Sequence, residues 1–295
     1  MKKIFLCLLV FCLFLTGCSN KDTNIDEEKF NIVTSFYPMY IATSNIVDGV
    51  ESVDLQNMAD VQVGCLHDYQ MTTKDMNKLE KADVFVVNNI DEESFLDKAT
   101  SAYDDLTIID SSKGILQSEN HDGHSHEENT HVWVSIDLYI KQVENIANEL
   151  ARIDEKNSDK YLSNKDVYID RLENLQEEMH EKLDFVENKN IVTFHSSFEY
   201  FAEEFDLNVI AVIEKEHGTS PSAGELAGII DLIKENDVKA IFIEPQYENT
   251  VADVISRETG IQVYTLNSAV SGALDKGEYE KIMRENLLVL EEALK

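Results

Sequence analysis

The stretch "SDKYLSNKDVYIDRLENLQEEMHEKLDF", residues 158–185, contains neither glycine nor proline. Tyr161, Tyr168, Leu172, Leu175, Met179 and Leu183 recur every three, four or seven residues on a strongly charged background. One apolar stripe at that spacing predicts a single long helix with one buried face. About thirty residues at ~1.5 Å each reach ~45 Å, enough to run the length of a pair of domains.

On both sides of this segment the pattern alternates. Upstream, "FNIVTS" reads as a strand, "PMYIATSNIV" as a helix and "SVDLQNMA" as a strand; Thr73 caps a helix through Leu79. "DVFVVN", "EESFLDKATSAY" and "LTIID" continue as strand, helix, strand, and a helix follows from Ile136 to Ile153. Downstream, "IVTF", "VIAVI", "VKAIFIE" and "IQVYTL" are strands. Between them lie the helices "SFEYFAEEF", "AGELAGIIDLIKEN" (Leu226, Ile229, Ile230 and Ile233 on one face) and "TVADVISRETG", the last ended by Gly260. A final helix covers Glu278 to Leu294. Alternation of this kind predicts an α/β protein: two lobes with mainly parallel sheets flanked by helices, joined by one long rigid helix. The expected boundaries are an N-terminal lobe over 30–155, the connecting helix over 156–187 and a C-terminal lobe over 188–295. A rigid connection of this sort limits hinge motion.

The N-terminus speaks to the compartment. Lys2 and Lys3 precede an apolar run from Ile4 to Leu15. That run is too short to span a bilayer and fits a secretory signal, residues 1–17. It ends in "LTGC", which resembles the lipobox of bacterial lipoproteins, with Cys18 as the lipidated residue. Residues 18–29 then read as a polar tether, and the mature protein is expected outside the cytoplasm, anchored to the cell membrane by lipid rather than spanning it. Cleavage takes Cys7 and Cys12 away, so Cys65 has no partner for a disulfide. The formal net charge of the whole chain is -32, with 43% apolar residues. A surface this acidic argues against nucleic acid as a partner.

Four of the eight histidines lie within "HDGHSHEENTH", residues 121–131. His67 sits between a strand and a capped helix, His131 just before a helix, and His195 at the end of a strand. Ligands collect at the carboxyl ends of strands in open α/β sheets, so these three could converge between the lobes. Neutral imidazoles suit zinc.

Several ordered segments together resemble a known family. They are "HDYQMTTKDMNKLEKADVFVVN", "HVWVSIDLYIKQVENIANEL", "FHSSFEYFAEEFDLNV" and "SPSAGELAGIIDLIKENDVKAIFIEP". The chain resembles the metal-binding lipoproteins, or solute-binding proteins, of bacterial ABC importers for zinc and manganese. The resemblance implies that His67, His131 and His195 bind the metal. Manganese members commonly carry a carboxylate at the third position, so a histidine at 195 favours Zn2+ over Mn2+ as the transported ion. It also implies an ABC permease and its ATPase as partners, and a monomer. The sequence departs from the family pattern at Ser220, at the "QMT" after "HDY", and at Asn267, near which the family often has an acidic fourth ligand. The fourth position is therefore open between water, Asn267 and a carboxylate of "ALDKGE".

His121, His124 and His126 belong to a polar loop over 118–130 with two readings. It is an accessory loop that captures ions weakly and passes them inward or senses excess, or a solvated insertion with no effect on uptake. His180, among charges in the long helix, is expected to be exposed. His217 lies in a loop expected to face the cleft, Cys65 is expected to pack, and Trp133 is expected to lie under His131. An enzyme is disfavoured. In "HEENTH" the second histidine follows the first by five residues rather than four, and neither a G-x-S-x-G elbow nor a glycine-rich phosphate loop is present. Surface lipoproteins also serve in cell adhesion, but no residue pattern argues for that as the main role. The expected mechanism is capture by neutral imidazoles, weakening as pH falls through ~6.5. Release then comes from rearrangement of the loops carrying His67 and His195 on docking.

Overall fold

The structure is a computed structural model that describes residues 29–60, 69–89, 99, 101–103, 105–115, 129–214, 220–246 and 250–295. The signal peptide, the tether, Cys18, Cys65, His67, most of the helix expected at 92–103, the loop histidines His121, His124 and His126, and His217 lie outside the described residues.

The first half of the chain gives β1 (Phe30–Thr34), α1 (Tyr37–Ile46), β2 (Val53–Asn57), α2 (Thr73–Leu79), β3 (Val84–Val87) and β4 (Thr107–Asp110). Then come α3 (Ile136–Ile153) and α4 (Ser158–Leu183). The second half gives β5 (Asn190–Thr193), α5 (Glu199–Glu204), β6 (Asn208–Val212), α6 (Ala223–Glu235), β7 (Ala240–Ile243), α7 (Thr250–Thr259), β8 (Gln262–Thr265) and α8 (Glu278–Ala293). Among the described residues, each half folds its strands into one four-stranded, wholly parallel sheet, ordered β2-β1-β3-β4 and β6-β5-β7-β8. The two orders are the same, so each sheet reverses its winding at its second and third strands. The central strands β3 ("VFVV") and β7 ("AIFI") are buried along their whole length, which is why they read as unbroken apolar runs.

The long helix α4 is the predicted one, ending two residues earlier than the periodicity suggested. All six stripe residues are buried, from Tyr161 to Leu183. They pack along α3, and α4 also touches α1 and α8. Tyr139 of α3 stacks on Tyr279 of α8 at 4.1 Å and meets Tyr168 of α4 edge-on at 6.3 Å. Burying one such side chain contributes roughly 1.5–3 kcal/mol. A single apolar cluster runs from Ile32 of β1 through α3 and α4 to Phe242 of β7 and Leu290 of α8. The two sheets thus share one core, with a smaller cluster on the other face of the second sheet.

Three local expectations are corrected. The cap of α2 is Thr72, not Thr73: its hydroxyl accepts from Asp75 N while Asp75 answers the Thr72 N–H, a reciprocal pair that Thr73 has no acidic residue placed to complete. His180 is half-buried rather than exposed, because its ring packs on Phe205 at 4.8 Å and its Nδ1 lies 3.0 Å from Asp184. On α6 only Ile229 and Ile233 are buried, while Leu226 and Ile230 sit half-exposed at the edge of the smaller cluster. Among the described residues no helix is long and apolar enough to cross a membrane.

Candidate metal centre

The switch points of the two sheets, between β1 and β3 and between β5 and β7, are where parallel sheets offer crevices to ligands. At the second, His195 follows β5 by two residues and Glu244 directly follows β7. At the first, Asn88 directly follows β3 and donates from Nδ2 to the Thr130 carbonyl at 3.0 Å. That bond fixes the backbone just before His131, which leads into a 3-10 turn (Val132–Val134) and then α3.

The two described candidates meet. The rings of His131 and His195, 64 positions apart in the chain, have centroids 5.1 Å apart at 83°. Both are buried, at 2% and 5% exposure. Two imidazoles bound at ~2.0–2.1 Å to one tetrahedral ion hold their ring centres ~5 Å apart. Among the described residues no group of three or more His, Cys, Asp or Glu side chains is arranged to hold a metal; His67 lies outside them.

The tautomer of His131 follows from its neighbours. Asn129 Nδ2 donates to the Ser196 carbonyl at 2.9 Å and to Glu199 Oε2 at 2.8 Å, both acceptors only. The amide oxygen therefore faces His131, accepting from its backbone N–H at 3.0 Å and from ring Nδ1 at 2.7 Å. Nδ1 must carry the proton, so Nε2 holds the lone pair that a cation takes. Asn129 also ties the two halves together, because Ser196 and Glu199 belong to the second.

Trp133 lies under His131 as expected, with ring centroids 5.2 Å apart, and Phe36 meets it edge-on at 4.9 Å. Its Nε1 donates to the Ser268 carbonyl at 2.8 Å, and its own carbonyl accepts from Tyr279 OH at 2.9 Å. Asn267 keeps its side-chain oxygen on the Ala269 N–H at 2.9 Å, which shapes the turn where Ala269 adopts φ 57°. In "ALDKGE", Asp275 accepts from Gly277 N at 2.9 Å and Glu278 pairs with Lys281 at 2.8 Å.

Sequence reasoning missed Asn129 and Glu244. Glu244 is 1% exposed. Its Oε1 accepts from Ser197 Oγ at 2.8 Å and lies 3.8 Å from His195 Nδ1; its Oε2 accepts from Gln246 Nε2 at 2.8 Å and from Ser268 Oγ. The strand-end argument that singled out His195 applies equally to the glutamate of "FIEPQ". Nothing in the sequence marks Asn129.

A family model described as zinc-uptake complex component A, periplasmic, matches residues 32–293. The chain belongs to this family. A relative from Bacillus subtilis strain 168, named high-affinity zinc uptake system protein ZnuA, is 31% identical over 305 residues, covering 96% of this chain and 94% of its own. The zinc-binding lipoprotein AdcA of Streptococcus pneumoniae R6 is 30% identical over 310 residues, covering 99% of this chain. The chain spans 61% of the length of that AdcA. Among solved structures, a crystal structure of ZnuA superposes with a TM-score of 0.78 at 27% identity, covering 90% of this chain and all (100%) of that one. The laminin-binding protein Lmb of Streptococcus agalactiae, described as having adhesin and metal-transporting activity, gives a TM-score of 0.80 at 28% identity over 90% of this chain and 100% of its own. Two parallel-sheet units flanked by helices, with a long helix between them, are thus the architecture of the family.

Proposed function

We propose that the chain is an extracytoplasmic solute-binding lipoprotein that captures Zn2+ and delivers it to the permease of an ABC importer, carrying out no chemistry on its cargo. The observation that carries this reading is the 5.1 Å separation of the buried rings of His131 and His195, one from each half of the chain. Family membership and the zinc-binding relatives support it. His67 supplies the third imidazole, and Cys18 supplies the lipid anchor after removal of residues 1–17. Residues 30–155 and 188–295 act as the two lobes, with 156–187 between them. Nitrogen donors favour Zn2+ over Mn2+. The protein works as a monomer, and residues 121–126 serve at most to gather ions near the site.

Titration of the metal-free protein with Zn2+ against a chelator tests the reading. One tight site is expected. It should be lost in His67→Ala, His131→Ala and His195→Ala, each by more than the about 10- to 100-fold that groups behind a ligand are worth. Deletion of residues 121–126 should leave it intact, and Mn2+ should compete poorly. Tight zinc binding that survives loss of both His131 and His195 sinks the proposal.

A further inference from the structure

We infer that Glu244 is a positioning residue of this centre, a buried carboxylate that orients His195 and strengthens its hold on the ion. The inference rests on His195 being a ligand and goes beyond it by assigning a role to a residue at the end of a neighbouring strand.

Four observations lead there. The first is placement: β5 and β7 are hydrogen-bonded neighbours at the switch point of the second sheet, so the residues leaving their carboxyl ends emerge side by side. The second is burial. A carboxylate that is 1% exposed has given up its water and must be held by donors, or it destabilises the fold. Ser197 from the 3-10 turn after β5, Ser268 from the loop after β8 and Gln246 from the stretch after its own strand hold it.

The third is direction. Glu244 Oε1 faces His195 Nδ1 at 3.8 Å, not yet a hydrogen bond. A ring movement of about 1 Å closes that gap. A cation on Nε2 withdraws electrons from the ring and makes Nδ1–H the stronger donor, so loading favours the movement. Metal-bound histidines almost always donate their other N–H in this way, and a carboxylate acceptor raises ligand basicity. His131 has the neutral amide of Asn129 in the corresponding place. The two imidazoles are therefore unequal, with His195 backed by negative charge.

The fourth is connection. Ser268 donates its hydroxyl to Glu244 and lends its carbonyl to Trp133, whose ring lies against His131. Glu244 thus stands in a continuous chain of contacts from one histidine to the other.

The test uses Glu244→Gln and Glu244→Ala beside His195→Ala, with Zn2+ affinity by chelator competition and the visible spectrum of the Co2+ form. Glu244→Gln is expected to lower zinc affinity about tenfold and Glu244→Ala up to about a hundredfold. The Co2+ bands should shift without a change in coordination number. Unchanged affinity in both Glu244 variants, with His195→Ala still losing the site, overturns the role of Glu244 and leaves His195 a ligand. A drop in coordination number makes Glu244 a direct ligand and overturns the positioning role. Unchanged affinity in His195→Ala overturns the underlying reading itself. Should the Glu244 variants fail to fold, Ser197→Ala loosens Oε1; a loss of several-fold supports the inference, and no loss overturns it.

Discussion

Tyr37 on α1 donates its phenol hydrogen to the Ala273 carbonyl at 2.6 Å, joining the first half of the chain to the loop that follows β8 in the second. The same phenol packs on Gly272 so closely that a Cβ there would lie 2.5 Å from the hydroxyl and 3.2 Å from the ring carbon bearing it. Tyr37 is buried and held by its hydrogen bond, so it has no room to yield.

Gly272→Ala should therefore force the backbone apart and cost about 1–3 kcal/mol, as overpacking does. Tyr37→Phe should cost only about 0.5–1.5 kcal/mol, toward the low end because Ala273 is exposed and water can replace the lost donor. Denaturant unfolding of both variants checks this. A Gly272→Ala protein as stable as wild type contradicts the close approach.

Asn129 fixes the tautomer of His131 from both sides of its amide. In Asn129→Ala the nitrogen-15 resonances of the His131 ring should move from the Nδ1–H pattern toward a mixture. Zinc affinity should fall about tenfold. Ring resonances identical to wild type would remove Asn129 from the argument.

Glu280 on α8 is 5% exposed, and its Oε1 lies 3.3 Å from Arg171 on α4. Burial raises its carboxyl above the ordinary range, outweighing the lowering by a hydrogen bond from its own backbone N–H and by Arg171 and Arg284; Asp275 adds to the rise. The folded chain then keeps a proton that the unfolded chain has released. Stability should fall as pH rises from the ordinary carboxylate pKa through the raised one. Glu280→Gln removes this dependence, so its melting temperature relative to wild type should climb across that window. Parallel melting curves at every pH count against the account.

Asp75 behaves in the opposite sense. Burial pushes its carboxyl up, but hydrogen bonds from the Thr72 hydroxyl and N–H and from Tyr69, with Lys78 nearby, bring it below the ordinary value. Its contribution is present above the ordinary carboxylate pKa and lost as pH falls through the lowered one. Asp75→Asn should cost about 1–2 kcal/mol at neutral pH, and less in acid. It also weakens the hydrogen bond from the Tyr69 hydroxyl, two residues after His67, so zinc affinity should weaken by less than in His67→Ala. Titration of both variants side by side decides this.

The long helix and the strand alternation were legible because they depend on local periodicity. Tyr161, Tyr168, Leu172, Leu175, Met179 and Leu183 all sit at 1% exposure or less. His131 and His195 were legible because strand ends and helix starts can be read from sequence. The groups behind them were not. Asn129 gains its meaning from Ser196 and Glu199, 67 and 70 residues away, and Glu244 from Ser197, 47 residues back. Such partners exist only once the sheets have formed and faced each other. The cap at Thr72 is also legible, since Thr72 and Asp75 carry the spacing of a reciprocal cap and Thr73 has no such partner.

The apolar cluster common to both sheets has a thermal consequence. Neither half can lose its packing without stripping the other, so heat should take the molecule apart in one concerted event. A scanning calorimeter should record a single endotherm rather than two. A chain with two sheets would then behave, toward temperature, as a single body.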